Sequence, residues 1–401
     1  MSKETKNNFI IHGGILAIAG ILVRIIGMFY RIPLMNIIGS EGNGIYSVAF
    51  NIYNIMLVLS SYGLPMAVSK LISARFAKRQ YRNAGQIFRS SVIISLCTGG
   101  AAALILFFGA GLIENIYKSV TGLAIPLRVL APTILFVAVM GVVRGFFQGQ
   151  GTMIPTAVSQ LIEQIVNAVV SILAGYLLMK AFSGSPHVSA YGAAGGTLGT
   201  AAGALVGLIF LSVIYIIYRP VFGRMMKKDS TSEDISSGEI YKTILLTMAP
   251  IIIGQTLYNV SAVIDDMMYS NMQAVRDTAA TIKTDLGNFA SSYSLLISIP
   301  QGVASAMSAS MLPSVVASFT EKKYKDVRTK INSTLKTNMF IAVPSFVGLT
   351  VLGEPVIKLL FSRYNSAQGA MMLKIGAIAV VFYTLSTVTS SALQGINRMS
   401  V

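Results

Sequence analysis

The sequence repeats itself at long range. Residues 128–153 read RVLAPTILFVAVMGVVRGFFQGQGTM, and residues 374–399 read KIGAIAVVFYTLSTVTSSALQGINRM. At an offset of 246, Phe136 meets Phe382, Gln148 and Gly149 meet Gln394 and Gly395, and Met153 meets Met399. Upstream, Ala77-Lys78-Arg79-Gln80-Tyr81-Arg82 resembles Thr320-Glu321-Lys322-Lys323-Tyr324-Lys325 at an offset of 243. Two matches in one order at nearly one offset indicate a duplicated unit of about 240 residues, far longer than a solenoid repeat. In an apolar chain such a duplication builds two pseudo-equivalent membrane lobes around a central site.

The chain is apolar enough for this. Apolar residues make up 54% and charged residues only 11%, where a soluble domain carries about 25% charge. Mean hydropathy is +0.68. Repeated apolar runs of 18 or more residues predict transmembrane helices rather than the short alternating segments of a β-barrel. Tryptophan is absent, so tyrosine supplies the interfacial belt. The single cysteine, Cys97, lies in an apolar run, which predicts a buried thiol and no disulfide. The net charge of +16 fits basic loops on one side of a membrane and does not require nucleic acid. The first apolar run is too long for a signal-peptide core and reads as a retained span.

Ten spans are expected: 9–38, 44–73, 87–112, 124–149, 153–179, 190–218, 241–268, 286–318, 331–353 and 367–395. One set of alternate loops holds Arg75, Lys78, Arg79, Arg82, then Arg219, Arg224, Lys227, Lys228, then Lys322, Lys323, Lys325, Arg328. The other set holds only Lys118, Lys180, Arg276, Lys283, Lys358 and Arg363. The positive-inside rule therefore places the N-terminus in the cytoplasm. The fold class expected is an all-α polytopic membrane protein. Residues 1–218 form a six-helix lobe, 219–240 a polar cytoplasmic linker, and 241–401 a second lobe that stops after its fourth helix. An even number of spans before the linker makes the two lobes parallel repeats. The small-residue tract 192–207 (GAAGGTLGTAAGALVG) reads as a close helix-packing face.

Ionisable residues inside spans are costly and mark candidate sites. Arg24 lies about 15 residues into the first span, roughly 22 Å along the axis, and cannot readily reach either surface. Arg31 near the far end of that span, Arg144 in the fourth, Glu163 in the fifth and Asp265 in the seventh complete the substrate-binding candidates. Arg24 reads either as a cavity-facing cation or as the partner of Glu163 or Asp265. Asp265 and Asp266 are placed for an outer interface or for a cation. Arginine suits a diphosphate, because its planar fork is always charged and donates in pairs. Enzyme motifs are missing. The only histidines are His12 and His187, no metal-spaced cluster occurs, and glycine-rich stretches fall inside apolar spans rather than in a phosphate loop. No catalytic residue, metal or cofactor is expected.

Three motifs carry a resemblance: Arg24-Ile25-Ile26-Gly27-Met28-Phe29-Tyr30-Arg31-Ile32-Pro33, Tyr62-Gly63-Leu64-Pro65, and Arg144-Gly145-Phe146-Phe147-Gln148-Gly149 leading to Met153-Ile154-Pro155. Over its whole length the chain resembles the multidrug/oligosaccharidyl-lipid/polysaccharide flippase superfamily. Within it the chain looks like the polysaccharide-biosynthesis branch of Gram-positive bacteria, which includes the stage V sporulation protein B type and the lipid II flippases. The resemblance implies two lobes around a central cavity, alternating access and residence in a bacterial plasma membrane. It also implies an undecaprenyl-diphosphate-linked saccharide as substrate, membrane lipid around the tail, and a coupling cation or the membrane potential as drive. Arg24 and Gly27 match the family's Arg-x-x-Gly-x-x-Arg-Asp motif; Tyr30 stands at its second arginine and Arg31 at its aspartate. Two rivals follow. A multidrug/cation antiporter on the same fold needs cavity acids, and Asp265 is the candidate. A membrane enzyme acting on lipid-linked sugars needs catalytic side chains at loop ends.

Overall fold

The computed structural model describes residues 3–229 and 236–396. Met399 of the repeat, residues 230–235 of the expected linker and the side chains of Lys3, Lys6 and His12 lie outside the described residues. All regular structure among the described residues is helical. In chain order the helices are α1 (Lys3–Ser61), α2 (Leu64–Ala77), α3 (Tyr81–Ile116), α4 (Ala124–Gly149), α5 (Ile154–Ala181), α6 (Val188–Lys227), α7 (Ser237–Gln273) and α8 (Ala279–Asn288). A π-helical turn, Phe289–Leu295, then leads into α9 (Leu296–Thr320), followed by α10 (Tyr324–Leu360), α11 (Ser366–Gly376) and α12 (Ala379–Gly395).

Eight helical stretches are long and apolar enough to cross a membrane, and the bent pair α11 and α12, at 48°, makes a ninth. The first stretch, Ile18–Ala77, has 60 residues. At 1.5 Å per residue that is about 90 Å, some three times the hydrocarbon thickness. It is broken at Gly39, whose φ of 71° and ψ of 176° lie outside the helical region. That left-handed backbone suits glycine and strains any side chain. The expected spans 9–38 and 44–73 fall on either side of this break, which accounts for the tenth.

The chain folds as two compact units, Met1–Leu286 and Gly287–Val401. In the first unit one apolar cluster gathers Leu34, Ile45, Leu127 and Leu130. A second gathers Leu64, Ile72, Phe146 and Phe222. α7 packs on both: Ile240, Ile244 and Met248 join the second cluster, and Val263 and Met267 lie against the first. α5 and α6 approach through the small-residue tract. A Cβ built on Gly195 falls 2.5 Å from the Gly175 nitrogen, and one on Gly199 falls 2.6 Å from the Asn167 carbonyl oxygen. Backbone contact of this kind is how membrane helices associate without a hydrophobic driving force. Gly199→Val is therefore expected to cost more than about 3 kcal/mol, at or above the upper end for overpacking. A thermal unfolding midpoint in detergent equal to that of the parent protein would show that the helices have room to part.

The duplication is visible in local geometry. α2 ends at Ala77 and α3 begins at Tyr81; α9 ends at Thr320 and α10 begins at Tyr324. Arg79 and Lys322 both take positive φ, 57° and 59°. Gln80 N–H donates to the Arg75 carbonyl at 2.9 Å, and Lys323 N–H donates to the Ser318 carbonyl at 2.9 Å. Phe76 meets Tyr81 edge-on at 5.2 Å, and Phe319 meets Tyr324 edge-on at 5.9 Å. The cores beneath correspond as well. Val68, Ile72, Ala84, Val142 and Phe146 are buried in the first unit, and Met311, Val315, Val327, Val388 and Ala392 in the second. The first three pairs keep the offset of 243 and the last two that of 246.

Cys97 differs from expectation. It is exposed on α3, on the stripe that also exposes Ile93 and Leu104. An apolar neighbourhood does not settle burial in a chain like this, because the outward face of a membrane helix is as apolar as its core.

Candidate functional site

The first unit concentrates the intramembrane charges. Along α1, Arg24 and Arg31 are seven residues apart, so they lie about 20° from one another on one stripe. Tyr30 lies 100° off that stripe and is buried. Its hydroxyl accepts from Asn167 Nδ2 at 3.4 Å. Arg31 is held beside Tyr30 and Tyr46, and the enclosed Arg31 Nε and Tyr46 hydroxyl have no hydrogen-bond partner among the described residues. Between the two arginines stands Gly27. A Cβ there would sit 3.2 Å from Gln164 Nε2, so the missing side chain lets the α5 amide approach α1.

Arg24 is exposed, and it has no salt-bridge partner among the described residues. Glu163, one of the two acids that sequence offers it, is used elsewhere. Arg144 Nη2 donates to Glu163 Oε2 at 2.8 Å, and Arg144 Nε donates to Ser159 Oγ at 3.0 Å. The pair is shielded, with side-chain exposures of 14% for Arg144 and 28% for Glu163. Asp265 and Asp266 diverge because adjacent helical residues point about 100° apart. Asp265 is exposed. Asp266 Oδ2 accepts from Asn51 Nδ2 at 2.8 Å.

A polar ladder on α5 connects these groups. Ser159, Glu163, Asn167 and Ser171 recur at every fourth residue, which places them on one face. Ser159 and Glu163 accept from Arg144. Asn167 donates to Tyr30. Ser171 Oγ donates to the Gly196 carbonyl at 2.8 Å and lies 2.9 Å from Asn167 Oδ1. Sequence reasoning singled out Glu163 alone here. The i, i+4 spacing of the other three was the available signal.

At the opposite end of α7 a second set of contacts joins it and α8 to the rest of the unit. Lys283 Nζ lies 2.6 Å from Glu41 Oε1 and donates to Thr121 Oγ1 at 3.2 Å. Ser270 Oγ donates to the Tyr117 carbonyl at 2.6 Å.

This is a helical membrane protein of transporter architecture, with arginines presented from a broken first helix. The model of the family described as polysaccharide biosynthesis protein matches residues 12–319. The chain belongs to that family, within the multidrug/oligosaccharidyl-lipid/polysaccharide flippase superfamily. It is 29% identical over 410 residues to a lipid II flippase of Bacillus subtilis, covering 99% of this chain and 73% of that protein. It is 24% identical to the stage V sporulation protein B of the same organism, covering 99% of this chain and 74% of that protein. Among solved structures it resembles a multidrug-resistance transporter of the superfamily in an inward-facing conformation. That likeness has a TM-score of 0.71 at 17% identity, and covers 94% of this chain and 82% of the other.

Proposed function

We propose that the chain is a flippase for an undecaprenyl-diphosphate-linked saccharide, lipid II or a related cell-envelope precursor, in a bacterial plasma membrane. The observation that carries this reading is Arg24. It is a deep arginine, exposed and without a salt-bridge partner among the described residues, while the other intramembrane arginine of the ladder is paired with Glu163. A charge left open at that depth is costly unless a ligand or water meets it. Arg31, on the same stripe, brings a second guanidinium with an unused donor. Two guanidiniums in line suit the two phosphates of a diphosphate, each taken by a bidentate fork.

In this reading residues 1–218 and 241–401 are two parallel lobes joined by the linker 219–240, the N-terminus is cytoplasmic, and the site opens to each side in turn. Arg144 and Glu163 wall the site, and Asp265 is the acid open to a coupling cation. The membrane potential contributes about 2.3 kcal/mol per charge per 100 mV. The names of the similar Bacillus proteins support the substrate class.

The test is a flipping assay in proteoliposomes with fluorescent polyprenyl lipids. A diphosphate-linked saccharide is expected to move about tenfold faster than its monophosphate counterpart, the effect of one lost charge-assisted contact. Movement of a cationic drug against a proton gradient, with neither lipid moved, would instead establish the antiporter.

A further inference from the structure

The second unit carries an apolar groove of 310 Å³ that the first unit has filled. It is lined by Phe319, Tyr324, Val327, Arg328, Ile331 and Ile396. Subtracting 243 from the first five gives Phe76, Tyr81, Ala84, Gly85 and Phe88. In the first unit the end of α6 lies on those residues. The Phe222 ring stacks on Phe76 at 6.1 Å with planes 4° apart. Phe222 also meets Phe146 edge-on at 5.2 Å. Met226 Sδ sits 2.9 Å from where a Cβ of Gly85 would be. Asp229 then closes the seat by accepting from the Arg82 backbone N–H at 2.8 Å. Phe88 and Phe222 are buried as a result.

Nothing of this kind covers the second unit among the described residues. Tyr324 is 61% exposed, and Arg328 and Lys325 are exposed. The equivalent of Phe146 is Ala392, which removes a ring from the floor and enlarges the space. The equivalent of Gly85 is Arg328, so a methionine cannot sit there as Met226 does, and a cation replaces a small apolar contact.

We propose that this groove seats the end of a membrane-spanning helix that carries an aromatic side chain at the position corresponding to Phe222 and a carboxylate at the position corresponding to Met226. The ring stacks on Phe319 over Ala392, and the carboxylate takes the Arg328 fork. The occupant is thus an α6-like helix altered at one position to match the Gly85-to-Arg328 change. A lipid tail satisfies the apolar floor but leaves Arg328 unmet.

The chain contains no tryptophan, so Tyr324→Trp gives a single reporter at the groove mouth. The 401-residue chain with that reporter, in lipid nanodiscs, is titrated with synthetic membrane peptides copying residues 205–229. The peptide with Met226→Glu is expected to bind at least tenfold more tightly than the one with Met226→Lys, and Phe222→Ala is expected to abolish binding of either. Arg328→Glu is expected to invert the preference. Because Arg328 is exposed, that variant should fold; should it not, Arg328→Gln is expected to erase the preference instead. Equal binding of both peptides, a signal unaffected by Phe222→Ala, or no saturable signal from any peptide overturns the proposal.

Discussion

Arg24→Ala is expected to lower flipping of a diphosphate lipid by about 10²-fold or more, with the protein still folded and inserted. Two charge-assisted hydrogen bonds from one guanidinium are worth roughly 3 kcal/mol or more together, and that converts to such a factor. The fold should survive because Arg24 contributes no ion pair to it among the described residues. Arg24→Lys is expected to recover only a small part of the activity. An ammonium has no planar fork, and at that depth it loses its proton more readily than a guanidinium. Initial rates in proteoliposomes, together with the thermal midpoint in detergent, check both statements. Full transport by a well-folded Arg24→Ala protein would remove Arg24 from the site.

The second large effect concerns Arg144 and Glu163, and it falls on stability first. Each is largely shielded, and Ser159 completes the arginine's partners. Removing one member strands the other charge inside the helix bundle, at a cost of about 3 kcal/mol or more. Glu163→Leu alone is expected to lower the thermal midpoint by about 5 °C, less per kcal/mol than in a small domain. The double variant Arg144→Leu with Glu163→Leu is expected to regain most of that loss, because neither charge is then left alone. Measured midpoints for the parent, both singles and the double form a complete cycle. If neither single variant loses stability while both lose transport, the pair belongs to the substrate rather than to the scaffold.

Much of the architecture was legible because membrane helices announce themselves by length and hydropathy. The repeat was legible for a different reason. The turn at Arg79 and Lys322 requires a left-handed residue, a specific backbone hydrogen bond and an aromatic edge contact, and these demands kept Tyr81 and Tyr324 in register. Partnerships were harder to read. Sequence shows that Glu163 is an acid within a span, but both Arg24 and Arg144 could claim it, and only the rotation of α5 against α4 decides for Arg144. Asn51 gave no signal at all, since an asparagine in a helix is unremarkable until Asp266 is brought to it from 215 residues away. Cys97 shows the limit from the other side, where hydropathy cannot tell lipid from core.

Gly39 has a mechanical consequence. It is the single left-handed joint between the part of α1 that bears Arg24 and Arg31 and the part built into the core around Ile45. Arg24 lies 15 residues from it, a lever arm of about 22 Å; Arg31, eight residues away, has an arm of about 12 Å. A 10° rotation at that one residue would sweep Arg24 through about 4 Å and Arg31 through about 2 Å, simple arc lengths on those arms. The two guanidiniums would then separate from a bound headgroup at different rates, the inner one letting go last.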